Sequence, residues 1–276
     1  VNNFFKRSIT GVFFVAVLIG GIWFHAISCF LLFSLIVFFG LLELYSIIEN
    51  TGIKANKPLG IAAGLVHLSI TFLYSIGMVP MAAFWLVTPL IAAIFVTELY
   101  RKQELPFQNI AFSIFGVLYI ALPFSLLLLT GFPEHQISGY VPTMILGYFF
   151  LLWTCDTGAY LTGISIGRHP MFARISPKKS WEGFSGGMIL TVIVAIILSN
   201  YFTVLSRTDW VVIALIISTF GVWGDLIESM LKRSLQIKDS GSILPGHGGI
   251  LDRFDSVLFS VPMVFLYLQL KTLILF

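Results

Sequence analysis

Between residues 225 and 255 the sequence gathers Asp225, Glu228, Lys232, Arg233, Lys238, Asp239, Asp252, Arg253 and Asp255 around glycines at 241, 246, 248 and 249, in a chain of which only 11% is charged. Carboxylates are hard oxygen ligands, and Mg²⁺ is typically held by one or two of them while water and phosphate oxygens complete its shell. Lysine and arginine neutralise phosphate, and glycine lets backbone amides close around an anion. A loop that has only to be soluble needs neither sign at this density, so the segment reads as a place where metal and phosphate are held together. Asp252 and Asp255, three apart at the start of a helix, share one face; each alone would also serve as a helix cap. Asp225, at the end of an apolar helix with Glu228 one turn later, tips the reading toward a metal site. An ionisable group at membrane depth costs at least ~2.5 kcal/mol and is usually turned inward and used. Its bland alternative is a pair with Lys232. His247, flanked by glycines, is free to donate a hydrogen bond or a proton to a phosphate.

A second segment, residues 155 to 183, repeats the theme. Asp156 lies inside an apolar run, and Gly158, Gly163 and Gly167 predict close helix packing near a polar cavity. Lys178 and Lys179 stand just before a helix, either as membrane anchors beside the interfacial Trp181 or as ligands of a triphosphate tail. Glu182 either caps that helix or orients a lysine. Glu43, within another apolar run, is a buried hydrogen-bonding group or part of a lipid-facing groove. His25 and His67 read as local structural residues, and Cys29 and Cys155 as small core residues.

The elements that carry these groups follow from composition. With 58% hydrophobic residues and a mean hydropathy of +0.97, the chain lacks the polar surface a soluble domain needs. About 20 apolar residues cross the hydrocarbon as a helix. That rule yields nine spans, near residues 9 to 25, 27 to 48, 59 to 76, 79 to 97, 109 to 129, 141 to 162, 184 to 204, 209 to 227 and 254 to 275. The unbroken runs exclude barrel strands, which alternate. The opening VNNFFKRSITGVFFVAVLIGGIWFHAISC has the basic flank of a secretory leader but no A-x-A site, so it is expected to remain as the first span. With a cytoplasmic N-terminus, fourteen of the sixteen Lys and Arg fall on the cytoplasmic side and only Arg207 and Lys271 opposite, as the positive-inside rule requires. The expected fold is an all-α polytopic integral membrane protein with a polar funnel on its cytoplasmic side. Spans 1 to 5 occupy residues 1–140, and a catalytic region of spans 6 to 9 occupies residues 141–276 with loops 163–183 and 228–253, all in one integral membrane domain.

Missing motifs narrow the function. Neither a P-loop, a G-x-S-x-G elbow nor an H-E-x-x-H pair occurs, and basic residues are not interleaved with aromatics as nucleic-acid binding demands.

Ser229, Lys232, Arg233, Lys238, Asp239, Gly241, Leu244, Gly246, His247, Gly248, Gly249, Asp252, Arg253 and Asp255 stand at the spacing of the signature of phosphatidate cytidylyltransferases, or CDP-diacylglycerol synthases, and the chain resembles that family. DTGAY, SPKKSWEG and GDLIES are similar to it too, with Ser180 where threonine is common. The likeness covers roughly residues 150 to 260; the first half is similar only in being a string of spans. The resemblance implies that CTP and phosphatidic acid yield CDP-diacylglycerol and pyrophosphate, with Mg²⁺ required, in a bacterial cytoplasmic membrane. It implies metal ligation by Asp225, Asp252 and Asp255, catalytic roles for Asp225, Lys232, Asp252 and Arg253, and phosphate binding by Lys178, Lys179, Arg233, Lys238, Gly246, His247, Gly248 and Gly249. Asp156, Glu182, Glu228 and Asp239 are secondary candidates. Two divalent ions are expected, with a monovalent cation and a homodimer both admissible. Two rivals are a CTP-dependent lipid or polyprenol kinase and a transporter whose Asp156, Asp225 and Glu43 bind a coupling cation.

Overall fold

In lipid each backbone N–H and C=O must find its partner within the segment, so apolar runs of spanning length become helices. The computed structural model describes residues 2–133, 139–235, 237, 241 and 248–274. Its helices are α1 (Asn2–Phe24), α2 (Ala26–Glu49), α3 (Lys57–Ser75), α4 (Thr88–Arg101), α5 (Pro106–Gly116), α6 (Leu122–Thr130), α7 (Pro142–Ile166), α8 (Trp181–Leu198), α9 (Arg207–Ser234) and α10 (Leu251–Ile274). A 3₁₀ turn, Met81–Val87, leads into α4, and a π turn, Val117–Ala121, joins α5 to α6, so each pair makes one rod. Among the described residues eight such rods are long and apolar enough to span a membrane, and Thr10–Phe24 is a shorter apolar helix. The protein is an all-α polytopic integral membrane protein. Its small departure is a hairpin of β1 (Pro170–Phe172) and β2 (Ser176–Ser180), which the sequence pattern does not announce.

Local chemistry sets the breaks. His25 separates α1 from α2 as a cap: its Nδ1 accepts from the Ile27 amide at 3.1 Å, and its own amide donates to Ser28 Oγ at 3.1 Å. Pro123 has no N–H to give the carbonyl of Tyr119, and the ladder before it slips into the π turn.

The chain divides into two compact units. The first holds residues 1–142 and 235–253, the second 143–234 and 254–276. In the first, Tyr45 of α2 is fully buried between glycines: an added Cβ would fall 2.3 Å from its hydroxyl at Gly60 and 2.5 Å at Gly116. The hydroxyl donates to the Ser113 carbonyl at 2.7 Å, fixing α2 to α5. Buried Glu98 accepts from Asn109 Nδ2 at 2.6 Å and from Arg101 at 2.7 Å, while Asn109 Oδ1 receives the Lys54 amide at 2.7 Å, so these buried polar groups have partners.

In the second unit α7 and α8 meet through small residues. A Cβ on Gly187 would lie 2.8 Å from the Cys155 carbonyl, and one on Gly183 2.8 Å from that of Ala159. On the α7 side a Cβ on Gly158 would stand 3.1 Å from Gly187 Cα, the close packing expected of that glycine. Tyr148 and Ser260 hydroxyls bond at 2.6 Å between α7 and α10, and buried Asp209 of α9 takes hydrogen bonds from Tyr267 at 2.8 Å and Lys271 at 2.6 Å on α10.

Candidate functional site

Helix α9 runs seven residues beyond the apolar stretch that ends near residue 227, because its polar end is stitched at helical spacing. Lys232 Nζ lies 2.5 Å from Glu228 Oε2, and Ser229 Oγ donates to Asp225 Oδ1 at 3.2 Å. Glu228 is only 1% exposed, so the adjacent ammonium offsets a buried carboxylate. The pairing of Asp225 with Lys232 that spacing also allows is therefore replaced: Lys232 serves Glu228, and Asp225 pairs with Lys179.

Lys179 arrives on the hairpin. Side chains alternate along a strand, so Lys178 and Lys179 leave β2 on opposite sides; Lys178 is exposed and Lys179 half-buried. The hairpin is anchored at both ends. Glu182 of α8 accepts the amides of Arg168 and His169 at 3.1 and 3.2 Å and bonds His169 Nδ1 at 2.5 Å, whereas the cap of α8 is Ser180, whose Oγ accepts the Gly183 amide at 3.1 Å. Glu182 thus braces the turn in front of the lysines and contacts neither of them among its described bonds.

Three helices bring carboxylates to this place. The charge on Asp255 of α10 interacts with those on Asp225, Glu228 and Asp156, and Asp156 of α7 interacts with Asp225 and Lys179. Gly224 sets the distance between α9 and α10. A Cβ there would stand 2.5 Å from the Asp255 carbonyl oxygen and 3.1 Å from Ser256 Cα, so the helices touch backbone to backbone beside the two aspartates. Gly221, one turn earlier, faces Ser256 at an ordinary 3.5 Å.

Asp252 is described within the first unit. Gly248 has φ +83°, a left-handed turn that brings the chain into α10, and a Cβ there would meet Asp252 Oδ2 at 2.6 Å. The same oxygen accepts the Gly249 amide at 2.8 Å. Arg233 and Arg253 are exposed. Lys238, Asp239, Gly246 and His247 lie outside the described residues.

The donor set suits a hard divalent cation: Asp225, Asp255, Asp156 and Glu228 offer oxygens alone, and Lys179 and Lys232 now supply the positive charge beside two of them. Among the described residues no three His, Cys, Asp or Glu side chains are arranged as a ready cation cage.

Sequence reasoning names the acids but misses what aligns them. Gly224 carries no signal beyond being small and adjacent to Asp225, and the bond from Lys179 to Asp225 joins residues 46 apart in sequence, a difference fixed only by the fold.

Carboxylates and lysines assembled by three spanning helices and a short hairpin define an integral membrane protein with a charged centre built into its helix bundle. The chain belongs to the cytidylyltransferase family, which it matches over residues 5–271. It is similar to the phosphatidate cytidylyltransferase of Staphylococcus aureus strain COL, at 41% identity over 180 residues, 63% of this chain and 66% of that protein. The proteins of that name from Staphylococcus epidermidis, at 39% over 180 residues (63% and 66%), and Bacillus subtilis strain 168, at 37% over 174 residues (61% and 62%), are also similar. The chain thus spans just under two thirds of the length of these relatives.

Proposed function

We propose that the protein transfers the CMP moiety of CTP to phosphatidic acid, forming CDP-diacylglycerol and releasing pyrophosphate. The observation that carries this reading is the meeting of Asp156, Asp225, Glu228 and Asp255 with Lys179 and Lys232 in one unit of a cytidylyltransferase-family chain. Membership of the family favours nucleotidyl transfer, and the names of the similar proteins favour a lipid phosphate as acceptor.

The lipid phosphate is anionic near neutral pH and attacks the α-phosphorus of CTP without a strong base. A new P–O bond forms there, the bond from the α-phosphorus to the oxygen bridging to the β-phosphorus breaks, and pyrophosphate leaves with that electron pair. The barrier is mutual repulsion of two polyanions, offset by positioning and opposite charge. Lys178, exposed on the outer side of β2, is free to meet the triphosphate, and Lys179, held by Asp225, lies within the acidic centre. Arg233, Lys238 and Arg253 hold the remaining phosphate oxygens together with Gly246, His247 and Gly248; Lys232, paired with Glu228, adds positive charge, and the Gly249 amide is given to Asp252. Asp225 and Asp255 would hold Mg²⁺, with two divalent ions expected and a monovalent cation admissible, and Asp252 is the further ligand that the family signature suggests. Bound, Mg²⁺ would supply positive charge that offsets the repulsion between the two phosphates. The concentration of Lys and Arg in alternate loops supports a cytoplasmic centre in a bacterial inner membrane, reached by CTP from water and by the lipid through a lateral opening among spans 6 to 9.

Purified protein given phosphatidic acid, Mg²⁺ and CTP labelled at either the α- or the γ-phosphate tests this. Label from the α position is expected in a cytidine-bearing lipid, with equimolar pyrophosphate. Label from the γ position in lipid would make the protein a kinase, and no labelled lipid at all would remove the activity. In the same assay Lys178→Ala is expected to raise the KM for CTP about three- to tenfold with kcat kept, the effect of losing one exposed phosphate contact. An unchanged KM would leave Lys178 as a membrane anchor.

A further inference from the structure

Glu43 lies on α2, 207 and 208 residues before its two partners, and is 4% exposed. A buried carboxylate is expensive unless hydrogen bonds replace its water. Here they come from the backbone where α10 begins: the Ile250 amide donates to Oε2 at 2.8 Å and the Leu251 amide to Oε1 at 3.2 Å. The first amides of a helix have no partner inside it, and the positive end of its dipole favours an anion, so Glu43 acts as the cap of α10 supplied by another helix. One glycine makes the fit: a Cβ on Gly241 would stand 2.9 Å from the Glu43 carboxyl carbon. Glu43 therefore touches the glycine-rich segment at both of its described ends. The next amide back, Gly249, is taken by Asp252. Amides 249, 250 and 251 are thus all bound by carboxylates, one from α10 itself and one from α2.

We propose that Glu43 is a positioning residue for the transfer reaction. Through the amides of Ile250 and Leu251 it fixes the backbone that aims Asp252 and Arg253, and it touches neither substrate. This inference rests on the function proposed above, and it gives α2 a part in the chemistry that the signature residues alone do not reveal.

Glu43→Gln keeps the shape but sets an amide N–H against one of the two backbone donors. Two measurements on the full chain in detergent decide the matter. Hydrogen exchange across residues 248–252 is expected to quicken in the variant while exchange in α3 and α5 is unchanged. Turnover is expected to fall at least ~10-fold, as for other residues that orient a ligand from behind, with KM for CTP and phosphatidic acid kept. A residue important only for packing would lower the yield of folded protein and leave kcat per folded molecule alone. A kcat within about twofold of wild type, or exchange at 248–252 that does not change, overturns the proposal. If the wild type makes no cytidine lipid, the proposed function fails, and the exchange result alone decides whether Glu43 clamps this helix start. Should Glu43→Gln not fold, Gly241→Ala replaces it, because its methyl displaces the carboxylate without removing it; the same two outcomes apply.

Discussion

Asp225→Asn is expected to lower the proposed cytidylyl transfer by at least ~10³-fold, through the loss of several kcal/mol of charge stabilisation at a phosphate that Mg²⁺ would bind. Asparagine is nearly the same shape and still accepts the hydrogen bond that Ser229 now gives Asp225, so the helix is undisturbed. The charge is what disappears, and with it the partner of Lys179. Two further readouts separate chemistry from folding. Mg²⁺ added alone should raise the melting temperature of the wild type and not of the variant. The double variant Asp225→Asn with Lys179→Gln restores the local charge balance and should regain any lost stability while staying inactive. Turnover near the wild-type rate in Asp225→Asn would take this carboxylate out of the metal site.

Gly224→Ala should be almost as damaging, although it adds one methyl and removes no functional group. The new Cβ would lie 2.5 Å from the Asp255 carbonyl oxygen, a backbone atom that cannot turn aside. The helices must part by about an ångström, and misplacement on that scale costs on the order of 10²-fold in rate. The same strain should cost about 1–3 kcal/mol of stability. Gly221→Ala is the control: its nearest neighbours are 3.5 Å away, so it should keep both rate and melting temperature. Equal tolerance of the two substitutions would mean that the spacing of α9 and α10 does not govern the reaction.

The spans were legible because length and hydropathy are what a bilayer selects, and the helices fall where the apolar runs do. Their ends were less so. Hydropathy reports where lipid stops, whereas α9 continues to Ser234 on ion pairs and α8 starts at Trp181 on the Ser180 cap. The hairpin escaped because strands of three and five residues are too short to show alternation. In the candidate site, Asp156 and Asp225 are visible as costly charges in apolar surroundings, Glu228 by its spacing from Asp225, and Asp255 by its spacing from Asp252 at a helix start. Their mutual approach, the bond from Lys179, and the contact at Gly224 depend on how helices pack, and periodicity carries no record of that. Glu43 is the clearest case. Its burial was a readable alternative, but its partners are main-chain amides, which look the same at every position of a sequence.

That bond also has a consequence for biogenesis. At typical synthesis rates of about 5–20 residues per second, a ribosome needs roughly 10–40 s to make the 207 residues that separate Glu43 from Ile250. Throughout that interval Glu43 is an acid whose final partners have not been made. The nascent protein therefore completes this part of its architecture late, when α10 emerges and its leading amides reach a carboxylate made with α2.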